Sequence, residues 1–126
     1  MLKDCLLIDD DLDDQEIFLM ALHKIDSRLK CSFANNGVEG LAVLSDHLYS
    51  PAFIFLDINM PKMNGIECLR QIKMMDHLKA CQVIVYSTST DAAIIRQCKE
   101  LGADDFLSKP SGLGILVASL TNILKG

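Results

Sequence analysis

The chain has no run of lysine or arginine, and its formal charge of −5 falls on the acidic side, much of it in one cluster near the N-terminus. A nucleic-acid surface would want a basic stripe, so no nucleic-acid partner is expected. No apolar stretch reaches the roughly 20 residues that span a bilayer. The opening Met1-Leu2-Lys3-Asp4 lacks the apolar core of a signal peptide. A cytoplasmic setting without a membrane partner is therefore expected. No CxxC occurs, and the cysteines (Cys5, Cys31, Cys68, Cys81, Cys98) are odd in number and widely spaced. They read as reduced thiols acting as small apolar packers. The histidines His23, His47 and His77 form no ligand pattern and read as surface or boundary residues. Repeats, linkers and low-complexity stretches are also missing. Half hydrophobic and 23% charged, the 126 residues are expected to form one domain over 1–126 with a proper core.

What is present is alternation. Short apolar runs at Cys5–Ile8, Leu29–Ala34, Ala52–Leu56, Val83–Tyr86 and Asp105–Ser108 read as strands. Between them lie amphipathic stretches. The first, Asp13 to about Ile25, carries Ile17, Phe18, Ala21, Leu22 and Ile25 on one face. The second opens at Asn36-Gly37, carries Leu41, Leu44 and Leu48, and is broken by Ser50-Pro51. The third follows Gly65 with Ile66, Leu69, Ile72 and Met75; the fourth runs from about Asp91 to Leu101 and stops at Gly102, a natural C′ glycine. Leu113–Leu124 is the fifth, with Leu116, Leu120, Ile123 and Leu124. Five βα units with fully apolar strands imply an α/β fold: a doubly wound, parallel five-stranded sheet covered by helices on both faces, with right-handed crossovers.

Ligands of such sheets bind outside the carboxyl ends of the strands. The first strand ends in Asp9 and Asp10, the third in Asp57, the fourth in Ser87 and Thr88, and the fifth in Lys109. Acids, a hydroxyl and a lysine are thus expected at one edge. Crowded carboxylates need a cation, and hard oxygens without thiolate or imidazole suit Mg²⁺. Asp57, at the end of a rigid apolar strand, is placed to take a phosphoryl group as an acyl phosphate. Phosphoryl transfer asks a protein mainly for positioning and charge neutralisation. Mg²⁺ on Asp10, Asp57 and a nearby carbonyl, Lys109 as a point charge, and Ser87 as a hydrogen-bond donor would meet that demand. Backbone N–H groups after Asp57 would serve a remaining phosphoryl oxygen. Asp11, Asp13 and Asp14 read as acids favoured by the dipole of the first helix.

With Asp9-Asp10, Asp57 in FLDINMPKMNG, Ser87-Thr88 and Lys109-Pro110 in place, the chain resembles a receiver domain of a two-component response regulator over nearly its whole length. LDINMPKMNGIE matches the family pattern D-x-x-M-P-x-M-x-G most closely. The resemblance implies the flavodoxin-like strand order 2-1-3-4-5 and the stand-alone, chemotaxis-regulator-like type, with no DNA-binding output domain. It implies phosphoryl transfer from a phosphohistidine on a sensor histidine kinase or histidine phosphotransfer protein to Asp57. Mg²⁺ or Mn²⁺ would be bound directly by Asp10 and Asp57, through water by Asp9, and by the backbone carbonyl of Asn59. Thr88 and Lys109 would bind the phosphoryl group, and Ser87 would be the switch hydroxyl. As Ser87 turns inward, Phe106 would fill the vacated space and reshape the face formed by the fourth helix, fifth strand and fifth helix. A cis Lys109–Pro110 bond is implied as well. The module would be a monomer, or a homodimer linked to phosphorylation, that promotes its own phosphorylation and dephosphorylation and is not a metabolic enzyme.

Four departures stand out. Phe106 replaces the commoner tyrosine, and Thr88 stands where alanine or glycine is frequent. Ser111 replaces a bulky apolar residue, and Asp11, Asp13 and Asp14 exceed the usual acidic pair. Three other readings compete. A silent scaffold is disfavoured by the full residue set. A phosphohydrolase would want a second acid where Asn59 stands. A flavodoxin-like flavin carrier would want a Ser/Thr/Gly-rich loop where the acids stand.

Overall fold

The structure is a computed structural model describing residues 4–58, 64–88, 91–109 and 112–125. Its elements are β1 (Asp4–Ile8), α1 (Leu12–Ile25), β2 (Lys30–Ala34), α2 (Gly37–Leu44), β3 (Phe53–Leu56) and α3 (Gly65–Lys73). A 3₁₀ turn (Asp76–Leu78), β4 (Gln82–Ser87), α4 (Ala92–Glu100), β5 (Asp105–Ser108) and α5 (Leu113–Lys125) complete it. All strand pairings are parallel, in the order β2-β1-β3-β4-β5 expected of the family resemblance.

Strand residues alternate between two cores because successive side chains point to opposite faces. Leu6, Ile8, Ile54, Leu56, Val83 and Val85 face one way and pack with Leu41, Leu44, Leu69 and Ile72 of α2 and α3. Cys5, Leu7, Phe53, Phe55, Ile84 and Tyr86 face the other way, under Phe18 and Leu22 of α1 and Leu116 and Leu120 of α5. Burial on both faces explains the unbroken apolar runs Cys5–Ile8, Phe53–Leu56 and Val83–Tyr86 in β1, β3 and β4. All five cysteines are free thiols; four are buried, and Cys31 is half-buried. Among the described residues no helix is long and apolar enough to cross a membrane.

The helices depart from the sequence expectation in three places. Helix α2 stops at Leu44, where Ser45 Oγ donates back to the Leu41 carbonyl at 2.7 Å and the Asp46 carboxylate accepts from Leu48 N. Leu48 therefore lies outside the helix and is 96% exposed. In α1 the buried stripe is Gln15, Phe18, Ala21 and Leu22, so Ile17, about 100° from Phe18 around the helix, is exposed. Met75 lies beyond α3 but still packs on the core. Gly102 follows α4 with φ 102°, the left-handed C′ conformation expected of it.

Two contacts aim the loops at the carboxyl edge. Asp11 caps α1, its Oδ1 accepting from Asp13 N at 2.9 Å and Asp14 N at 3.2 Å. Gly65 opens α3 against the backbone just past β3, donating from its N–H to the Ile58 carbonyl at 3.1 Å. A Cβ there would come within 2.4 Å of Ile58 Cα and 2.6 Å of the Asp57 carbonyl oxygen, so the position accepts only glycine without a backbone shift.

Candidate functional site

Strand ends place the acids. Asp9 N donates to Ala34 O and Asp57 N to Ile8 O, both at 3.0 Å, so the sheet ladder extends one step past β1 and β3 and holds both residues rigidly. Asp9 is fully buried, Asp57 is 4% exposed, and Asp10 is exposed. Ligand oxygens of Asp9, Asp10 and Asp57 all lie within 4.8 Å of one another.

Lys109 reaches this group from the end of β5, where its N–H donates to the Ser87 carbonyl at 3.0 Å. Its ammonium lies 2.8 Å from Asp9 Oδ2, 3.1 Å from Asp57 Oδ2 and 2.8 Å from Asp14 Oδ2. The ring of Tyr86 lies beneath it, 5.4 Å from the ammonium to the centroid. Burial works against the lysine charge, but the carboxylates of Asp14, Asp9 and Asp57 outweigh it and hold the ammonium above its ordinary range. At Asp9 burial wins: it pushes the carboxyl up to about 6, against the lowering effects of the Lys109 ammonium and the Asp11 N–H. The Asp57 charge adds to the rise. Burial likewise pushes the Tyr86 phenol up to about 12.

Asp9 Oδ2 is buried and is paired with the Lys109 ammonium at 2.8 Å. That single ammonium is shared among Asp9, Asp57 and Asp14, so the carboxylate group still carries uncompensated negative charge that further positive charge would offset. With Asp10 and Asp57, and with no sulfur or imidazole among the described residues of the group, this donor set fits a hard divalent cation.

The other expected residues fall as follows. Ser87 ends β4, fully buried and in register with Ser108. Alternation along β4 puts Ser87 on the same face as Val83 and Val85, and Phe106 is half-buried against that same core. Thr88 is exposed. The Asn59 carbonyl and the Lys109–Pro110 bond lie outside the described residues.

Three residues join the site that the sequence reading placed elsewhere or left unremarked. Asp14 stands in the first turn of α1, where the dipole favours an acid, and its carboxylate also pairs with Lys109. Gln15 is buried and its Nε2 donates to the Asp9 carbonyl at 2.8 Å and to Asn35 Oδ1 at 2.9 Å, tying α1 to the ends of β1 and β2. Tyr86 floors the lysine. A polar residue on the buried stripe of α1 was the available signal for Gln15. Asp14 carried none, since its partner lies 95 residues away.

Comparison with known proteins gives the family. The chain is 34% identical over 122 residues to a CpxR homolog, a transcriptional regulatory protein of Haemophilus influenzae, covering 95% of this chain and 49% of that protein. It thus spans about half the length of that relative. It is 32% identical over 105 residues to the two-component response regulator ORR3 of Oryza sativa, covering 83% of this chain and 78% of that protein. The phosphorylated cyanobacterial phytochrome response regulator RcpA superposes with a TM-score of 0.88 at 27% identity, covering 98% of this chain and 91% of that one. The Mn(2+)-bound form of response regulator Rcp1 superposes with a TM-score of 0.84 at 27% identity, covering 96% and 91%. The family model described as response regulator receiver domain matches residues 5–121, a span that takes in all five strands and the carboxylate edge. This chain therefore belongs to the response regulator receiver domain family of two-component signalling.

Proposed function

We propose that the domain is a phosphoacceptor switch whose acceptor is Asp57. The observation that carries the reading is the meeting of Asp57 with the Lys109 ammonium at 3.1 Å, inside a group of carboxylates that fits a divalent cation. The donor is a phosphohistidine on a sensor histidine kinase or histidine phosphotransfer protein. An Asp57 carboxylate oxygen forms a bond to phosphorus, the phosphorus–nitrogen bond breaks, and the imidazole nitrogen keeps the electron pair and takes up a proton. Hydrolysis of the acyl phosphate by water returns the carboxylate.

Asp9, Asp10 and Asp57, with the Asn59 carbonyl, would hold Mg²⁺ or Mn²⁺. When bound, such an ion supplies positive charge against the crowded carboxylates and the transferred phosphoryl oxygens. Lys109 pairs with one phosphoryl oxygen and Thr88 contributes at the exposed rim. Ser87 donates to another oxygen, and Phe106, on the same face of the sheet, follows Ser87 inward. Phosphorylation thereby biases the α4–β5–α5 face between two shapes for an effector protein or a second copy of the chain. The domain promotes its own phosphorylation and dephosphorylation in a cytoplasmic setting, as a signalling module with no metabolic substrate.

Intact-mass measurement after incubation with acetyl phosphate tests the reading. One added phosphoryl group, dependent on Mg²⁺ and missing from Asp57→Asn, supports it. Wild-type protein left unmodified both by acetyl phosphate and by a phosphorylated histidine phosphotransfer protein would sink it in favour of a silent scaffold.

A further inference from the structure

Asp14 sits in the first turn of α1, where the helix dipole alone would account for an acid. Its carboxylate does more than that, because Oδ2 accepts from Lys109 Nζ at 2.8 Å, as close as Asp9 Oδ2 and closer than Asp57 Oδ2 at 3.1 Å. Of the three acids around the ammonium, Asp9 and Asp57 also belong to the cation-binding trio with Asp10. Asp14 does not. Neutralising Asp9 and Asp57 from the cation side leaves Asp14 as the anion that the lysine still balances. The acids also differ in exposure: the Asp14 side chain is 29% exposed, that of Asp57 6% and that of Asp9 not at all. The lysine side chain is itself only 10% exposed and rests over the Tyr86 ring, so its ammonium is held among these acids.

We propose that Asp14 is a positioning residue for phosphoryl transfer, a latch that holds the Lys109 ammonium toward α1 so that an arriving phosphoryl oxygen must compete for it. The proposal rests on Asp57 being the acceptor. With acetyl phosphate as donor, an Asp57 oxygen bonds to phosphorus while the phosphorus–oxygen bond to the acetyl group breaks, and acetate leaves with the electron pair. The new oxygens bring added negative charge beside Lys109, and the Asp14 carboxylate both repels that charge and occupies the ammonium that would offset it.

The test compares wild type with Asp14→Asn, which keeps the shape and removes the charge, and Asp14→Glu, which keeps the charge. Rates of phosphorylation by acetyl phosphate at saturating Mg²⁺ are read by intact mass. Hydrogen exchange of the Lys109 ammonium is read by nitrogen-15 NMR in metal-free protein. Asp14→Asn is expected to gain phosphoryl about two- to fivefold faster, with faster exchange at the Lys109 ammonium, and Asp14→Glu to return both toward wild type. A merely structural role predicts the opposite sign, slower transfer with a lower melting temperature. Equal or slower transfer in Asp14→Asn, or unchanged ammonium exchange, overturns the latch while the acceptor reading stands. Wild type that takes no phosphoryl group overturns the acceptor reading and the latch with it.

Discussion

At the scale of single residues, burial sets the cost of each charge and so the size of each expected effect. Asp57→Asn removes the nucleophile but keeps the shape, and is expected to abolish the added mass while the fold is retained, as checked by circular dichroism. Lys109→Ala leaves Asp9 and Asp57 buried without their shared cation. Metal-free stability should fall by about 3 kcal/mol, and the rise in melting temperature on adding Mg²⁺ should exceed that of wild type. Asp9 supplies the pH dependence. Its folded-state value, about 6, lies above its ordinary 3.8, so its contribution to stability is fully present below pH 3.8 and is lost as pH rises through 6. In chelator, Asp9→Asn should therefore melt above wild type at pH 7, by an amount corresponding to about 3 kcal/mol at most. Calorimetry should show that gain shrinking toward pH 4.

At the scale of elements, the same site depends on how α1 and α3 begin. Removing the α1 cap with Asp11→Ala should cost about 1 kcal/mol, measured by denaturant unfolding. Gly65→Ala is expected to be more damaging, because the new Cβ meets the backbone of Asp57 and Ile58, which cannot swing aside as a side chain would. About 1–3 kcal/mol is expected, along with slower phosphorylation, because the displaced atoms carry the acceptor. The type and order of the elements were legible in residue periodicity, since β1, β3 and β4 hold the unbroken apolar runs Cys5–Ile8, Phe53–Leu56 and Val83–Tyr86 and the helices carry clear stripes. Their ends were less so. Leu48 continued the apolar spacing of α2, but Ser45 and Asp46 side chains satisfy backbone groups there and turn the chain away. Ile17 looked like a core residue until Gln15 took the buried stripe, drawn inward by the Asp9 carbonyl and Asn35.

At the scale of the whole molecule, the site exists because the ends of β1, β3, β4 and β5 are held side by side. A cation on the Asp9, Asp10 and Asp57 group would bind the folded chain and not the unfolded one. Mg²⁺ a hundredfold above its dissociation constant should then add about 2.7 kcal/mol, and a melting temperature unmoved by Mg²⁺ would contradict that account. The sequence by itself determined the parallel sheet covered on two faces, and with it the meeting of Asp9, Asp10, Asp57 and Lys109. Strand ends in such a fold share one edge, whatever their separation along the chain. Only the tertiary structure decided which neighbours those charges keep. Asp14 faces Lys109, Tyr86 lies beneath the ammonium, and Asp9 is fully buried against it. Those outcomes turn on how far α1 stands from β5 and how deeply each carboxylate is covered, distances that arise from the packing of helices on the sheet and leave no mark in local spacing.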